Sequence, residues 1–278
     1  MSDSVSVKKA GGALGAYVDD VLLEDVISSA DLLAEIRELA VNYEVLFFRN
    51  QAVSPVVFQT FAETFGEVLR HQAYATVSDA PHVQILESTE AAPSKIEVWH
   101  SDMTFSATPP SFTILHGKVI PAYGGDTLWA SATAAYDALS QPLQAFLQDL
   151  VAVHDFRHGF AESLAEPGGA ERLAQAIAAN PPVEHPVVRT HPETGKKALY
   201  VNRLFSTHIQ GLSKLESAEI LAFLYRHIVT DEFTVRLNWQ PNTIAIWDNR
   251  STQHKPVNDF FPQHRRLHRV TIRGDKPR

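Results

Sequence analysis

The sequence predicts a mainly β domain, a sandwich or barrel with helices flanking it. About eight short apolar, β-branched runs are spread along the 278 residues, helical patterns occupy only the gaps between them, and there is no internal repeat, heptad or low-complexity tract. With 45% hydrophobic and 20% charged residues, the chain is long enough to bury one large core, so a single domain over 1–278 is expected.

In chain order, DLLAEIRELA from Asp31 has helical spacing, and EVLFFRN from Glu44 is the first strong strand. Ser54-Pro55 opens a second helix, with Ser as N-cap and Pro in the first turn. Strands follow at VQILE from Val83 and SFTILHGKVI from Ser111. The stretch at 161–182, rich in Ala, Glu and Gly, reads as an insertion outside the core, of the kind that serves as a lid. PVVRTH from Pro186 and ALYVNR from Ala198 are strands, and LSKLESAEILAFLYRHI is a helix whose Ser213 and Glu216 form a capping box. FTVRLNW from Phe233, TIAIWDN from Thr243 and RVTIR from Arg269 complete the set.

A net charge of -8 without a basic stretch argues against a nucleic-acid partner. There are no cysteines, which excludes disulfides, thiolate metal sites and cysteine nucleophiles; any metal must be held by His, Asp or Glu. The opening MSDSVSVKKAGG lacks an apolar signal core, and no uncharged apolar run approaches the roughly 20 residues of a membrane span, so no membrane partner and a cytoplasmic location are expected.

The sharpest local feature is VWHSDMTF, from Val98 to Phe105. If this segment is extended, His100 and Asp102 point to one face and grip one metal ion. A third ligand must come from afar, and His254 stands just past the strand TIAIWDN. Two neutral imidazoles and a carboxylate leave three positions open on Fe(II), two for a bidentate 2-oxo acid and one for O₂. An HxD triplet alone is a weak signal among 13 histidines, and the arginines strengthen it. Arg265 and Arg269, four apart in HRRLHRVTIRGD, share one face in strand or helix; taken without the histidines they read equally well as a solvated basic edge. One would suit the far carboxylate of 2-oxoglutarate and the other an anionic substrate.

Together with GGDTLWAS, HDFR, HPVVRTHPETGKKALYVN, WQPNTIAIWDNRSTQH and RRLHRVTIRGDKP, these residues resemble the taurine/2-oxoglutarate dioxygenases and their alkylsulfatase and chlorophenoxyacetate relatives over nearly the whole chain. The resemblance implies a double-stranded β-helix, or jelly roll. It implies iron on His100, Asp102 and His254, and 2-oxoglutarate held by Thr127 and Arg265. It further implies a substrate anion on His71, Arg269 and the Met103 amide, a pocket lined by Tyr74, Phe160 and Phe205, and a homodimer or homotetramer.

The expected reaction is hydroxylation of the carbon next to sulfur in a small, taurine-like sulfonate, giving aldehyde, sulfite, succinate and CO₂. One departure matters. Taurine-type relatives carry a polar Asn before WHSD, whereas this chain reads Lys95-Ile96-Glu97-Val98, which brings an alkyl sulfate or apolar alkanesulfonate forward as the alternative. A zinc hydrolase on the same ligands would have no use for the Arg265 and Thr127 pair, and an anion-sensing module would have no use for open metal positions.

Overall fold

The computed structural model describes residues 5–69 and 74–278. Its centre is an eight-stranded sheet in the order Ser6–Lys9, Ala16–Asp19, Val45–Phe48, Ile244–Asp248, Phe112–Val119, Arg265–Ile272, Ala80–Ser88, Thr76–Val77. Facing it is a three-stranded sheet in the order Thr234–Leu237, Thr127–Ser131, Thr252–Pro256. A further three-stranded sheet (Ser206–Ile209, Val151–His154, Val183–Pro186) and a two-stranded one (Val188–Thr190, Lys197–Leu199) complete the β structure among the described residues.

Alternation along the central strands explains why the sheet is covered on both sides. Leu46, Phe48, Ile114, Ile244, Ile246, Val270 and Ile272 meet Ile36 and Ala40 of the helix Ala30–Tyr43 and Phe58, Phe61 and Ala62 of the helix Pro55–Glu63. Their neighbours Val45, Phe47, Leu115, Ala245, Trp247 and Leu267 point the other way, against Trp129, Val235 and Leu237 of the facing sheet. A one-residue slip in register would exchange these two sets. The outer face of the small sheet is covered in turn: Ala130 packs in one cluster with Leu221, Leu224 and Ile228 of the helix Lys214–Ile228.

Caps read from the sequence are present. Ser54 accepts from Val57 at the start of its helix, and Ser213 and Glu216 make the reciprocal capping box. The 161–182 stretch is two short helices, Ala161–Ala165 and Gly169–Ala179. Leu173, Ala176 and Ile177 of the second, at helical spacing, pack on a cluster of Phe105, Phe156 and Phe205. Among the described residues, no helix is long and apolar enough to cross a membrane.

Candidate active site

Trp129 and Trp247 fill the space between the two facing sheets in the middle, with ring centroids 5.7 Å apart. Toward one end the filling stops, and a cavity of about 850 Å³ opens, bordered by His100, His254, Thr127, Arg265 and Arg269 among others. Strand pairing places these residues. His254 lies directly opposite Trp129, and Pro256 opposite Thr127, so His254 and Thr127 project from the same face of the small sheet. Arg265, Leu267 and Arg269, two apart on a strand of the large sheet, face them.

The three expected metal ligands come together: one donor atom from each of His100, Asp102 and His254 lies within 4.8 Å of the others. Asp102 Oδ1 is 3.8 Å from His100 Nε2 and 4.0 Å from His254 Nε2. The route differs from a simple extended HxD segment. Only His100 is strand-like, through a single antiparallel bridge to His254 in which each amide donates to the other's carbonyl at 3.0 and 2.7 Å. Asp102 already lies in a turn. His254 stands past the strand Ile244–Asp248, as expected, and lies inside a further strand, Thr252–Pro256; the Ser101 hydroxyl donates to Thr252 O at 2.7 Å to tie the two segments again.

Each ligand is aimed by a partner. His100 Nδ1 lies 2.9 Å from Val98 O and donates to it, which leaves Nε2 unprotonated and facing the centre. The Thr113 hydroxyl donates to Asp102 Oδ2 at 2.8 Å. Asn249 brackets the Asp102 peptide, its Oδ1 accepting from Asp102 N at 2.7 Å and its Nδ2 donating to Asp102 O at 3.0 Å. Burial lowers the pKa of His100 and pushes that of His254 down to about 3, so both imidazoles are neutral donors. Burial opposes ionisation of Asp102, but His254, Arg269, His100 and the Thr113 hydroxyl together hold its carboxyl below the usual range. Two neutral imidazoles and a carboxylate on one side of an open cavity are a donor set that fits Fe(II).

Arg265 is buried, and burial pushes its guanidinium down to about 10, still charged at neutral pH. Its Nε has no partner among the described residues, and its Nη2 lies 3.4 Å from Thr127 Oγ1. Trp239 Nε1 also donates to Thr127 Oγ1, at 3.0 Å. Thr127 therefore accepts twice, and its own hydroxyl hydrogen is left to donate. A buried cation with an orphaned N–H beside a spare hydroxyl donor fits a dicarboxylate's far end.

Of the other residues singled out in the sequence, Tyr74, Phe160 and Arg269 border the cavity, and His71 lies outside the described residues. Phe205 and Met103 do not border it. Gly159 packs so closely on the Phe205 ring that an added Cβ would lie 2.4 Å from it, and the ring is sandwiched against Phe105 with centroids 4.9 Å apart. Phe205 thus backs the ligand His100, at 6.5 Å between rings, instead of facing a substrate. Met103 takes a left-handed turn conformation (φ 51°) and packs its side chain on the same aromatic cluster. Thr113, Asn249 and Trp239 were not anticipated; Asn249 sits inside the WDNR run, but nothing local marked it as a support for Asp102.

An open two-His, one-carboxylate centre between two sheets defines a mononuclear non-haem metal enzyme. The chain belongs to the family described as "Taurine catabolism dioxygenase TauD, TfdA family", whose model matches residues 6–271. Fe(II), 2-oxoglutarate and O₂, expected from the sequence, are the cofactor and co-substrates of such enzymes. The chain is 35% identical to an alkylsulfatase of Acinetobacter baylyi, covering 99% of this chain and 86% of that protein. It is 34% identical to an alpha-ketoglutarate-dependent sulfate ester dioxygenase of Pseudomonas putida, covering 98% and 91%. Among solved structures, a taurine dioxygenase from Burkholderia xenovorans superposes with a TM-score of 0.84 at 35% identity, covering 99% of this chain and 91% of that one.

Proposed function

We propose that this chain is an Fe(II)- and 2-oxoglutarate-dependent dioxygenase that hydroxylates the carbon bonded to the ester oxygen of an apolar-tailed sulfate ester or to the sulfur of an alkanesulfonate. The observation that carries the reading is one cavity border shared by His100 and His254 of the three-residue centre, by Arg265 and by a second arginine, Arg269. The two facing sheets fit the double-stranded β-helix expected for such an enzyme.

Iron, when bound, supplies O₂ activation coupled to decarboxylation of 2-oxoglutarate. The protein supplies placement. Arg265 and Thr127 hold the distal carboxylate of the co-substrate, which fixes its other end at the metal. Arg269, with Nη1 3.9 Å from Asp102 Oδ1, holds the substrate anion close to the metal without coordinating it. Ile85, Leu86, Ile96, Val98, Phe160 and Leu173 form apolar walls that take the tail and exclude water. Hydroxylation of that carbon gives an adduct that collapses to an aldehyde, with loss of sulfate from the ester by C–O cleavage or of sulfite from the sulfonate by C–S cleavage.

Ile96 borders the cavity, and it offers no acceptor to an ammonium group. Glu97 also borders it; one carboxylate oxygen accepts from Asn258 Nδ2 at 3.0 Å and the other remains for a cation, which keeps taurine as the second reading. The test is succinate formation by anaerobically Fe(II)-loaded protein given 2-oxoglutarate and O₂ with hexyl sulfate, hexanesulfonate or taurine. Stimulation by the hexyl compounds with matching sulfate or sulfite supports the apolar-tail reading, and stimulation by taurine alone replaces it with the second. No stimulation by any of the three overturns both.

A further inference from the structure

We infer that Gln84 sets the charge selectivity of the substrate pocket, by fixing Arg269 in place without neutralising it; this rests on the reading of Arg269 as the anion-binding residue. Gln84 and Arg269 are register partners on adjacent antiparallel strands. Both Nε and Nη2 of Arg269 donate to Gln84 Oε1, at 3.0 and 2.8 Å. One whole edge of the guanidinium is thereby taken up by a single neutral acceptor. The Tyr74 ring lies 4.7 Å from Cζ and stacks on the guanidinium. What remains is Nη1, turned toward the metal side, where it lies 3.9 Å from Asp102 Oδ1.

The choice of an amide here has a chemical consequence. A carboxylate would hold the same edge more strongly, but it would cancel the arginine's charge in a buried site, where an uncompensated cation attracts an anion most. An amide oxygen aims the fork without adding a second carboxylate to Asp102 beside Arg269, so positive charge is left for a ligand. Because both guanidinium atoms are donors, the amide must present oxygen to them, and its Nε2 is then buried with no partner among the described residues. An unmade buried hydrogen bond is a cost to stability, which the two bonds from Arg269 to Oε1 offset. Gln84 is thus a positioning residue whose presence packing alone does not explain.

The two roles predict different behaviour of Gln84→Met. If Gln84 only fills space, the variant, of similar volume, keeps its affinity for the substrate anion. If it positions Arg269, the variant leaves the guanidinium edge without its acceptor and binds the substrate anion less tightly, while 2-oxoglutarate binding is kept. Gln84→Glu tests the charge: it retains an acceptor of the same length and adds a neutralising carboxylate.

The experiment is calorimetric titration of hexyl sulfate into anaerobic, Fe(II)- and 2-oxoglutarate-loaded protein, alongside separate titration of 2-oxoglutarate and a thermal melt of each protein. We expect both variants to raise the Kd for hexyl sulfate, Gln84→Glu by about tenfold or more, which corresponds to one decade in affinity. The Kd for 2-oxoglutarate should not change, and the Tm of Gln84→Met should fall, because two N–H groups of Arg269 lose their acceptor. Hexyl sulfate affinity within about threefold of wild type in both variants, or parallel loss of 2-oxoglutarate binding, would overturn the inference. If the wild-type protein itself does not bind hexyl sulfate, the substrate reading falls first and takes this inference with it.

Discussion

The Thr113 hydroxyl donates to Oδ2 of Asp102 at 2.8 Å, which leaves Oδ1 as the oxygen nearest the two imidazoles. A carboxylate held this way binds a metal through one oxygen, because the other is already engaged. Thr113 reaches it because Thr113 and Leu115 point inward from a strand whose Phe112 and Ile114 point outward.

Replacing Thr113 with valine keeps the shape and removes the donor. Loss of such an outer hydrogen bond typically weakens metal affinity by about 10- to 100-fold. We expect that loss for Thr113→Val in equilibrium dialysis against Mn(II), with Thr113→Ser restoring most of it. Unchanged affinity would mean that Asn249 alone orients the carboxylate.

Arg265 and Arg269 should separate in kinetics. Arg265→Ala should raise the apparent KM for 2-oxoglutarate by about tenfold or more, since a charge-assisted bond contributes roughly 1.5–3 kcal/mol. Arg269→Ala should raise KM for the sulfur substrate instead. Arg265→Lys is expected to recover only part of the loss, because an ammonium is a point charge and cannot present the guanidinium fork. Equal effects of both alanine variants on both compounds would refute the assignment.

The helices at 161–182 are held over the cavity by charge as well as by packing. Glu166 bridges Lys95, beside Ile96 on the opposite wall, and Arg172, which it meets at 2.8 Å. These side chains are exposed, so solvent and salt screen the contact, and its effect must be local. Glu166→Gln should speed amide hydrogen exchange within 161–179 and leave the central sheet unchanged, and added salt should do the same to the wild type. Exchange that is insensitive to both would assign the anchoring to Leu173, Ala176 and Ile177 on the Phe105 cluster.

How far the sequence disclosed this arrangement depends on the range over which each signal acts. The strand Val45–Phe48 is legible because it is buried on both faces and reads as a continuous apolar run, and Phe112–Val119 and Ile244–Asp248 through their apolar, β-branched openings. Thr252–Pro256, reading TQHKP, has no such pattern; it is a strand because it pairs with Thr127–Ser131, itself hidden in a Gly-rich run. The metal ligands and arginines stood out through local spacing. Their supports did not: Thr113 looks like any β-branched strand residue, and Asn249 reaches Asp102 across 147 positions. Phe205 shows the converse, since an aromatic residue in sequence does not reveal which side of a wall it occupies.

A final prediction concerns Glu44, which caps the helix Ala30–Tyr43 in a left-handed conformation and is buried. Burial pushes its carboxyl up to about 8 from an ordinary 4.5, against the hydroxyls of Ser131 and Thr133, which favour ionisation, while Asp248 adds to the rise. In the folded protein it is therefore protonated at pH 6, whereas in the unfolded chain it is ionised. The folded state then binds more protons than the unfolded state between pH 4.5 and 8, so this group's contribution to stability is fully present below 4.5 and is lost as pH rises to 8. Asp248 behaves oppositely: although burial opposes its ionisation, Arg250 and then His191 hold its pKa well below the usual range, so its contribution is lost only in acid. Glu44→Gln removes the first dependence and keeps the shape. We expect the variant to match the wild type in denaturant unfolding near pH 5 and to exceed it at pH 8 by a few kcal/mol, since each tenfold change in a protonation equilibrium corresponds to about 1.4 kcal/mol. A constant difference across that range would mean that Glu44 is ionised in the fold, with Lys196 as its counter-charge.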